Sequence, residues 1–349
     1  MATKNSTGRL GYIDAMRGFC MYLVVYAHVV GYGYHTDGQG TFKAILVNFY
    51  LVLFFFISGF VAYKNNVKCS SQFFANSVKN KFIQLVIPSV VFCALYVWWD
   101  KHSIGTFFHI ATSWYWFTVQ LFEFFLFYYL SLWVTRNFDG IKQDVFLFST
   151  AIMLYLLGFS HTIIQRTPIG AALFSYLGME CWRDYIFFIL GVFTRKHFEL
   201  LKRLIGNSLF MAVVVLLFFF MVFYADHIDF SMWKPMRLVV YGGVSIIVIF
   251  AFFFKYHAVF SQDNKFGQAL QFIGGRTLDV YMIHYFLLPR HLDFVGNWLT
   301  DNPNPTIEFF LTTIISIMVI TLRPCGWENN KTQSPSFVFL VRRKEESFF

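Results

Sequence analysis

Apolar residues run through this chain in near-continuous blocks of about twenty, without the alternation that marks a half-exposed strand, and short polar stretches separate the blocks. Ten blocks are readable, roughly 11–33, 42–63, 82–99, 114–135, 145–161, 171–194, 206–224, 235–254, 270–289 and 306–322. A lipid-embedded backbone must satisfy its polar groups internally, so only helices or closed barrels can span. The pattern therefore predicts an all-α, polytopic integral membrane protein of about ten transmembrane helices. An even number of crossings puts both termini on one side. The first block follows Lys4 and Arg9 as a signal peptide would. It is too long for one, carries Arg17 and His28, and lacks a small-x-small cleavage site, so it reads as a retained helix. In the sixth block Glu180, Arg183 and Asp184 interrupt the apolar pattern, and its entry reads as an interfacial helix ahead of the apolar 185–193 run. With short loops and no fixed-period repeat, the expected organisation is one membrane domain over 11–322, a cytoplasmic N-terminus over 1–10 and a cytoplasmic tail over 323–349.

Composition agrees with a membrane-embedded chain. Of 349 residues 57% are hydrophobic, 13% are charged and 48 are Phe, against about 25% charged residues in a soluble domain. The net charge of +9 would suit nucleic acid, but its distribution does not. Lys and Arg gather in every second connection: 19 lie in the set that includes Lys64, Lys68, Arg136, Lys142, Arg195, Lys202, Lys255 and the tail, and 5 (Lys43, Lys101, Arg166, Lys234, Arg290) in the alternate set. That is the positive-inside bias, and it predicts that both ends lie in the cytoplasm. The five cysteines show no CxxC spacing and read as free, mostly buried thiols with no metal site. After Thr321, Pro324 stops the last helix. The remainder reads either as a disordered tail or as an altered end to that helix.

Arg17 and His28 lie in the first block, eleven positions apart. Eleven helical steps of about 100° make roughly three turns, so both project from one face about 16 Å apart along the axis. Ionisable groups at membrane depth mark functional sites by default. The plainer alternatives are an Asp14–Arg17 pair near the interface and a His28 satisfied by a carbonyl. In the second block, Ser58-Gly59 suits close approach of a neighbouring helix. Lys79-Asn80-Lys81 is either a positive-inside anchor or a docking site for a phosphate-bearing ligand. Trp114-Tyr115-Trp116-Phe117 opens the fourth block, and Trp114 and Tyr115 read as an interfacial belt. Glu123 lies two turns inside it, held either neutral by burial or beside an arginine of another span. In the ninth block Asp279, Tyr281 and His284 sit inside a membrane helix, with Tyr281 and His284 on one face.

These residues resemble the acyltransferase 3 family of integral-membrane acyltransferases over about residues 10–320. The Arg17-x10-His28 spacing behind Tyr12-Ile13-Asp14 is similar to that family's first-helix signature, and Phe54-Phe55-Phe56-Ile57-Ser58-Gly59-Phe60 to its second-helix motif. Trp116-Phe117 and the Thr277–His284 segment resemble later landmarks. Where members carry an Arg-x2-Arg-like pair before the third helix, this chain has Lys81 and Gln84, and its end after residue 322 differs from the usual last helix. The resemblance implies transfer of an acyl group, usually acetyl from cytoplasmic acetyl-CoA, to a hydroxyl of a surface or exported carbohydrate in the bacterial inner membrane. No bound cofactor is implied; acetyl-CoA is a substrate, and the partners are the carbohydrate and membrane lipid, with no nucleic acid. The matching arginine and histidine are the expected centre of the site.

Acyl transfer from a thioester to an alcohol needs a base, a donor for the developing oxyanion and a site that excludes water. The expected roles are His28 as base and Arg17 as the residue that orients the donor. Lys79 and Lys81 would meet CoA phosphates, and Glu123 and His284 would bind acceptor or orient His28. Asp14, Ser58, Trp116 and Tyr281 are further candidates for donor or acceptor binding. A proton-coupled transporter or flippase would use the same intramembrane groups, and an idle scaffolding subunit is a third reading.

Overall fold

The computed structural model describes residues 10–35, 49–65, 69–224, 234–261 and 263–322, and every regular element among them is helical. The expectations for residues 1–9, for 42–48 of the second block and for the tail beyond 322 lie outside the described residues. In chain order the main helices are α1 Gly11–His28, α2 Tyr50–Ala62, α3 Ser71–Trp99, α4 Trp116–Val134, α5 Gly140–Phe159, α6 Pro168–Leu177, α7 Tyr185–Lys196, α8 Phe198–Gly206, α9 Ser208–Tyr224, α10 Lys234–Lys255, α11 Lys265–Gly274, α12 Thr277–Leu287, α13 Asp293–Asp301 and α14 Pro305–Thr321.

Five stretches are long and apolar enough to cross a bilayer: Gly11–Gly33, Ser71–Trp99, Trp116–Val134, Gly140–Phe159 and Met236–Lys255. A sixth exists if α8 and α9, bent by 84°, count as one. The chain is a multi-pass membrane protein. Two of the expected spans are not single helices. The 171–194 block is broken where α6 ends at Gly178, in the left-handed backbone (φ +59°) that glycine adopts without a Cβ penalty. A tight turn over Met179–Asp184 follows before α7 begins. The 270–289 block is divided at Gly275-Arg276 between α11 and α12. The third block extends further toward the N-terminus than expected, since α3 starts at Ser71, where the Ser70 hydroxyl caps the Phe73 amide. Pro88 cannot donate to the carbonyl one turn back, and the helix widens to a π turn over Phe82–Val86 just before it.

The chain divides into two compact units, one drawn from 1–66 and 184–320, the other containing 67–183. In the first, two close helix pairs rest on glycine. A Cβ on Gly59 of α2 would overlap the Phe188 carbonyl of α7, and one on Gly191 of α7 would overlap the Phe56 carbonyl. The α1–α11 pair repeats the device with Gly18 against Leu270 and Gly274 against Asp14. Such backbone proximity is how helices associate where lipid removes the hydrophobic drive. It bears out the close-approach reading of Ser58-Gly59. Phe250 of α10 joins these pairs, its ring 5.5 Å from Phe60, 5.7 Å from Phe56 and 6.1 Å from Tyr12, so the abundant Phe forms packed aromatic contacts rather than a lipid-facing coat alone. In the second unit α3 meets α4 through a Ser89–Thr118 hydroxyl pair at 2.5 Å and a Trp133 Nε1–H bond to Ser71 Oγ at 3.1 Å.

Gly59→Leu should therefore lose the monodisperse folded species in detergent. Gly243→Leu, where nothing lies within 4 Å of the added Cβ, should keep it. Size-exclusion chromatography of the two variants checks this, and equal behaviour would remove glycine contact from the account.

Candidate functional site

One uninterrupted helix carries both residues of the first-block pair. α1 runs from Gly11 to His28 with Asp14 in its first turn, where a carboxylate complements the helix dipole. Arg17 Nη1 lies 3.6 Å from Asp14 Oδ1, so the expected local ion pair forms at the start of the helix. At His28 the helix changes pitch. The next five residues, Val29–Gly33, make a π turn closed by the Tyr34 amide on the Val29 carbonyl at 3.1 Å. Such insertions occur often at functional positions because they rotate the following side chains out of α register. Here the turn brings Tyr32, 43% exposed, edge-on to the His28 ring at 5.5 Å.

His28 is half-buried, and its imidazole meets that of His284 on α12. Nδ1 of His28 is 2.7 Å from Nε2 of His284. The ring centroids are 4.9 Å apart and the planes differ by 8°. That separation equals the nitrogen–nitrogen distance plus the two ring radii, so the rings lie edge to edge in one plane and are hydrogen-bonded rather than stacked face to face. The other nitrogen of His284, Nδ1, donates to the Tyr281 carbonyl oxygen at 2.7 Å. His284 is enclosed, with 1% of its surface exposed. Tyr285 closes the group, its ring 4.1 Å from His284 and 5.1 Å from His28, and Tyr281 lies 5.5 Å from His284. The structure thus brings together His28, Tyr281 and His284 from two blocks 256 positions apart in sequence. The aromatic neighbours Tyr32 and Tyr285 were not singled out from sequence; their only sequence signal is four-residue spacing from His28 and adjacency to His284.

The same end of α1 is tied to α14. Tyr22 Oη lies 2.7 Å from Thr313 Oγ1, and Tyr34 Oη lies 3.1 Å from Thr312 Oγ1. One hydroxyl pair comes from α1 and the other from the residue that closes the π turn after it, so together they fix the rotation of this end against α14 as well as its distance. They hold the histidine-bearing end of α1 in place.

The remaining candidates have other surroundings. Ser58 donates to the Phe54 carbonyl of its own helix at 2.9 Å, which occupies its hydroxyl locally. In the second unit Lys79 is exposed. Lys81 donates to Gln84 Oε1 at 3.1 Å and lies 4.6 Å from the Phe125 ring centroid. Trp116 is half-buried at the start of α4, next to the Phe117 ring at 6.1 Å. Glu123 is half-buried and accepts from Trp182 Nε1 at 2.6 Å and from Gln120 Nε2 at 3.0 Å. Its neighbours are thus an indole and an amide rather than the arginine of another span. Trp182 sits in the turn that breaks the sixth block, whose charged residues pair with each other through Arg183 and Glu180 at 3.2 Å. Among the described residues no group of three His, Cys, Asp or Glu side chains could hold a metal ion. Cys20, Cys69 and Cys93 are buried free thiols.

A family model described as an acyltransferase domain matches residues 10–322. No curated protein and no solved structure matches the chain.

Trp182→Phe removes the indole N–H donor from Glu123 while keeping an aromatic side chain. It should destabilise the detergent-solubilised protein by about 1–3 kcal/mol, and most of that loss should vanish in a Glu123→Leu background. Thermal unfolding of the two single variants and the double variant measures the coupling; additive losses would contradict it.

Proposed function

We propose, from the premise that this chain belongs to the acyltransferase 3 family of membrane acyltransferases, that it moves an acetyl group from cytoplasmic acetyl-CoA to a hydroxyl of a surface or exported carbohydrate. In this reading it crosses the bacterial inner membrane ten times with both ends in the cytoplasm. The positive-inside asymmetry of its loops supports that orientation. The broken sixth and ninth blocks then count as crossings interrupted at depth, where irregular backbone is tolerated only inside protein or beside water.

The single observation that carries the reading is the His28–His284 contact in a chain of this family: a half-buried imidazole held at 2.7 Å by a second, enclosed one. His28 acts as the base. An ordinary imidazole, with a reference pKa near 6.5, is suited to take a hydroxyl proton near neutral pH. The acceptor oxygen attacks the thioester carbonyl carbon as its proton passes to His28. The carbon–oxygen bond forms, and the collapse of the tetrahedral intermediate breaks the carbon–sulfur bond. The proton on His28 goes to the departing sulfur, so the products are the ester and CoA thiol. Arg17, about three helical turns away on the same helix, meets the charged part of the donor, and its contact with Asp14 sets its side-chain direction.

The test is release of CoA thiol by purified protein given acetyl-CoA and a carbohydrate acceptor. The parent protein should release thiol in step with acceptor acetylation. His28→Ala should lower kcat by about 10²–10⁴-fold, and Arg17→Ala should mainly raise KM for acetyl-CoA. A transporter or flippase releases none, and a folded His28→Ala variant with the parent rate would remove His28 as the base.

A further inference from the structure

We propose that His284 is a positioning residue that fixes which nitrogen of His28 is reactive: His284 holds the proton of His28 on Nδ1, so that Nε2 is the atom that takes the acceptor proton. This rests on His28 being the base.

The assignment follows from the order of hydrogen bonds. The Tyr281 carbonyl oxygen can only accept, so Nδ1 of His284 carries a hydrogen. A neutral imidazole has one N–H, so Nε2 of His284 then presents its lone pair. The bond from that nitrogen to Nδ1 of His28, at 2.7 Å, needs one hydrogen. It must come from His28. A neutral His28 with its hydrogen on Nδ1 has its lone pair on Nε2. One backbone carbonyl thus sets two tautomers in sequence.

Two other arrangements would break the chain of assignment, and each has a physical objection. If His284 were protonated on Nε2 alone, a bare Nδ1 would face the Tyr281 oxygen at 2.7 Å, lone pair against lone pair. If it carried both hydrogens, a cation would sit in a side chain 1% exposed, enclosed by Tyr281 and Tyr285. The near-coplanar rings also favour an in-plane N–H···N bond, since the lone pair and the N–H bond both lie in the ring plane.

The same bond has a second effect during reaction. When Nε2 of His28 takes the proton, the ring becomes an imidazolium. Its Nδ1–H bond to His284 then becomes charge-assisted, and such bonds are roughly twice as strong as neutral ones. The stabilisation therefore grows as the transition state is approached, which is the kind that raises kcat. A carboxylate at position 284 would orient His28 equally well, but it would bury a negative charge at membrane depth in the resting state. A neutral histidine gives the orientation without that charge.

The experiment uses full-length protein in lipid nanodiscs, labelled with ¹⁵N-histidine, because ring nitrogen resonances separate N–H from lone-pair nitrogen. The spectra of the parent, His28→Gln and His284→Gln proteins assign the signals. In the parent, both His28 and His284 should be Nδ1–H tautomers. A parent spectrum with His28 protonated on Nε2 would overturn the proposal without any activity measurement. In thiol-release kinetics, His284→Leu should lower kcat by about 10²–10³-fold with KM for acetyl-CoA little changed. His284→Gln, whose Oε1 can accept from Nδ1 of His28, should recover most of the loss. If both variants lost activity equally, His284 would be a packing residue and the proposal would fail. Full kcat in His284→Leu alongside an inactive His28→Ala would overturn this inference while leaving His28 as the base. Full kcat in His28→Ala would remove both.

Discussion

A polar side chain inside lipid cannot borrow a partner from water, so it must find one in the protein. Several buried polar side chains in the described part of this chain follow that requirement, while Ser245 Oγ on α10 is an exception. Ser58 turns back on its own helix, Ser89 meets Thr118, Tyr34 meets Thr312, and Glu123 is met by an indole and an amide. The contact between His28 and His284 obeys the same rule but differs in kind. An imidazole bonded through one nitrogen still carries a second ring nitrogen that can take a proton, whereas a serine hydroxyl bonded to a helix carbonyl has committed its one hydrogen. Satisfying these two rings leaves them chemically competent.

Such short polar contacts demand that helices approach closely and hold their rotation. The glycines provide the approach. Gly18 and Gly274 bring α1 onto α11, and α12, which carries His284, starts only three residues beyond Gly274. The break at Gly275-Arg276 lets α12 leave on a new line, and Arg276 lies over the Phe272 ring at 3.9 Å across that break. A straight helix through 270–289 would carry its side chains on in unbroken α register. The interruption that removes a simple membrane span therefore sets the course of the helix bearing His284. On the other side, hydroxyl pairs to α14 hold the end of α1 against rotation.

Much of this was legible in the sequence and some was not, for physical reasons. Eleven-residue spacing placed Arg17 and His28 on one helix face, since periodicity is local, and α1 is unbroken between them. Ser58-Gly59 foretold a close helix contact, because a small residue has few other uses in a bilayer. The charged interruption at 180–184 foretold the break in the sixth block. The break at 275–276 was missed because Gly-Gly inside an apolar run costs helix propensity without announcing a turn. The His28–His284 contact spans 256 positions, and nothing in a single sequence records which distant helices become neighbours. The Glu123–Trp182 bond was hidden likewise, since its two residues lie 59 positions apart in different blocks.

Family membership over residues 10–322 supplies the reaction class, and our proposal places it at the paired imidazoles. The most direct measurement of the resulting account is mass spectrometry of surface glycans from cells that lack this protein, complemented either with the parent chain or with His28→Ala. Glycan heavier by one acetyl unit should return with the parent chain alone. Identical glycan masses in all three strains, or restoration by a folded His28→Ala chain, would contradict acyl transfer through this histidine.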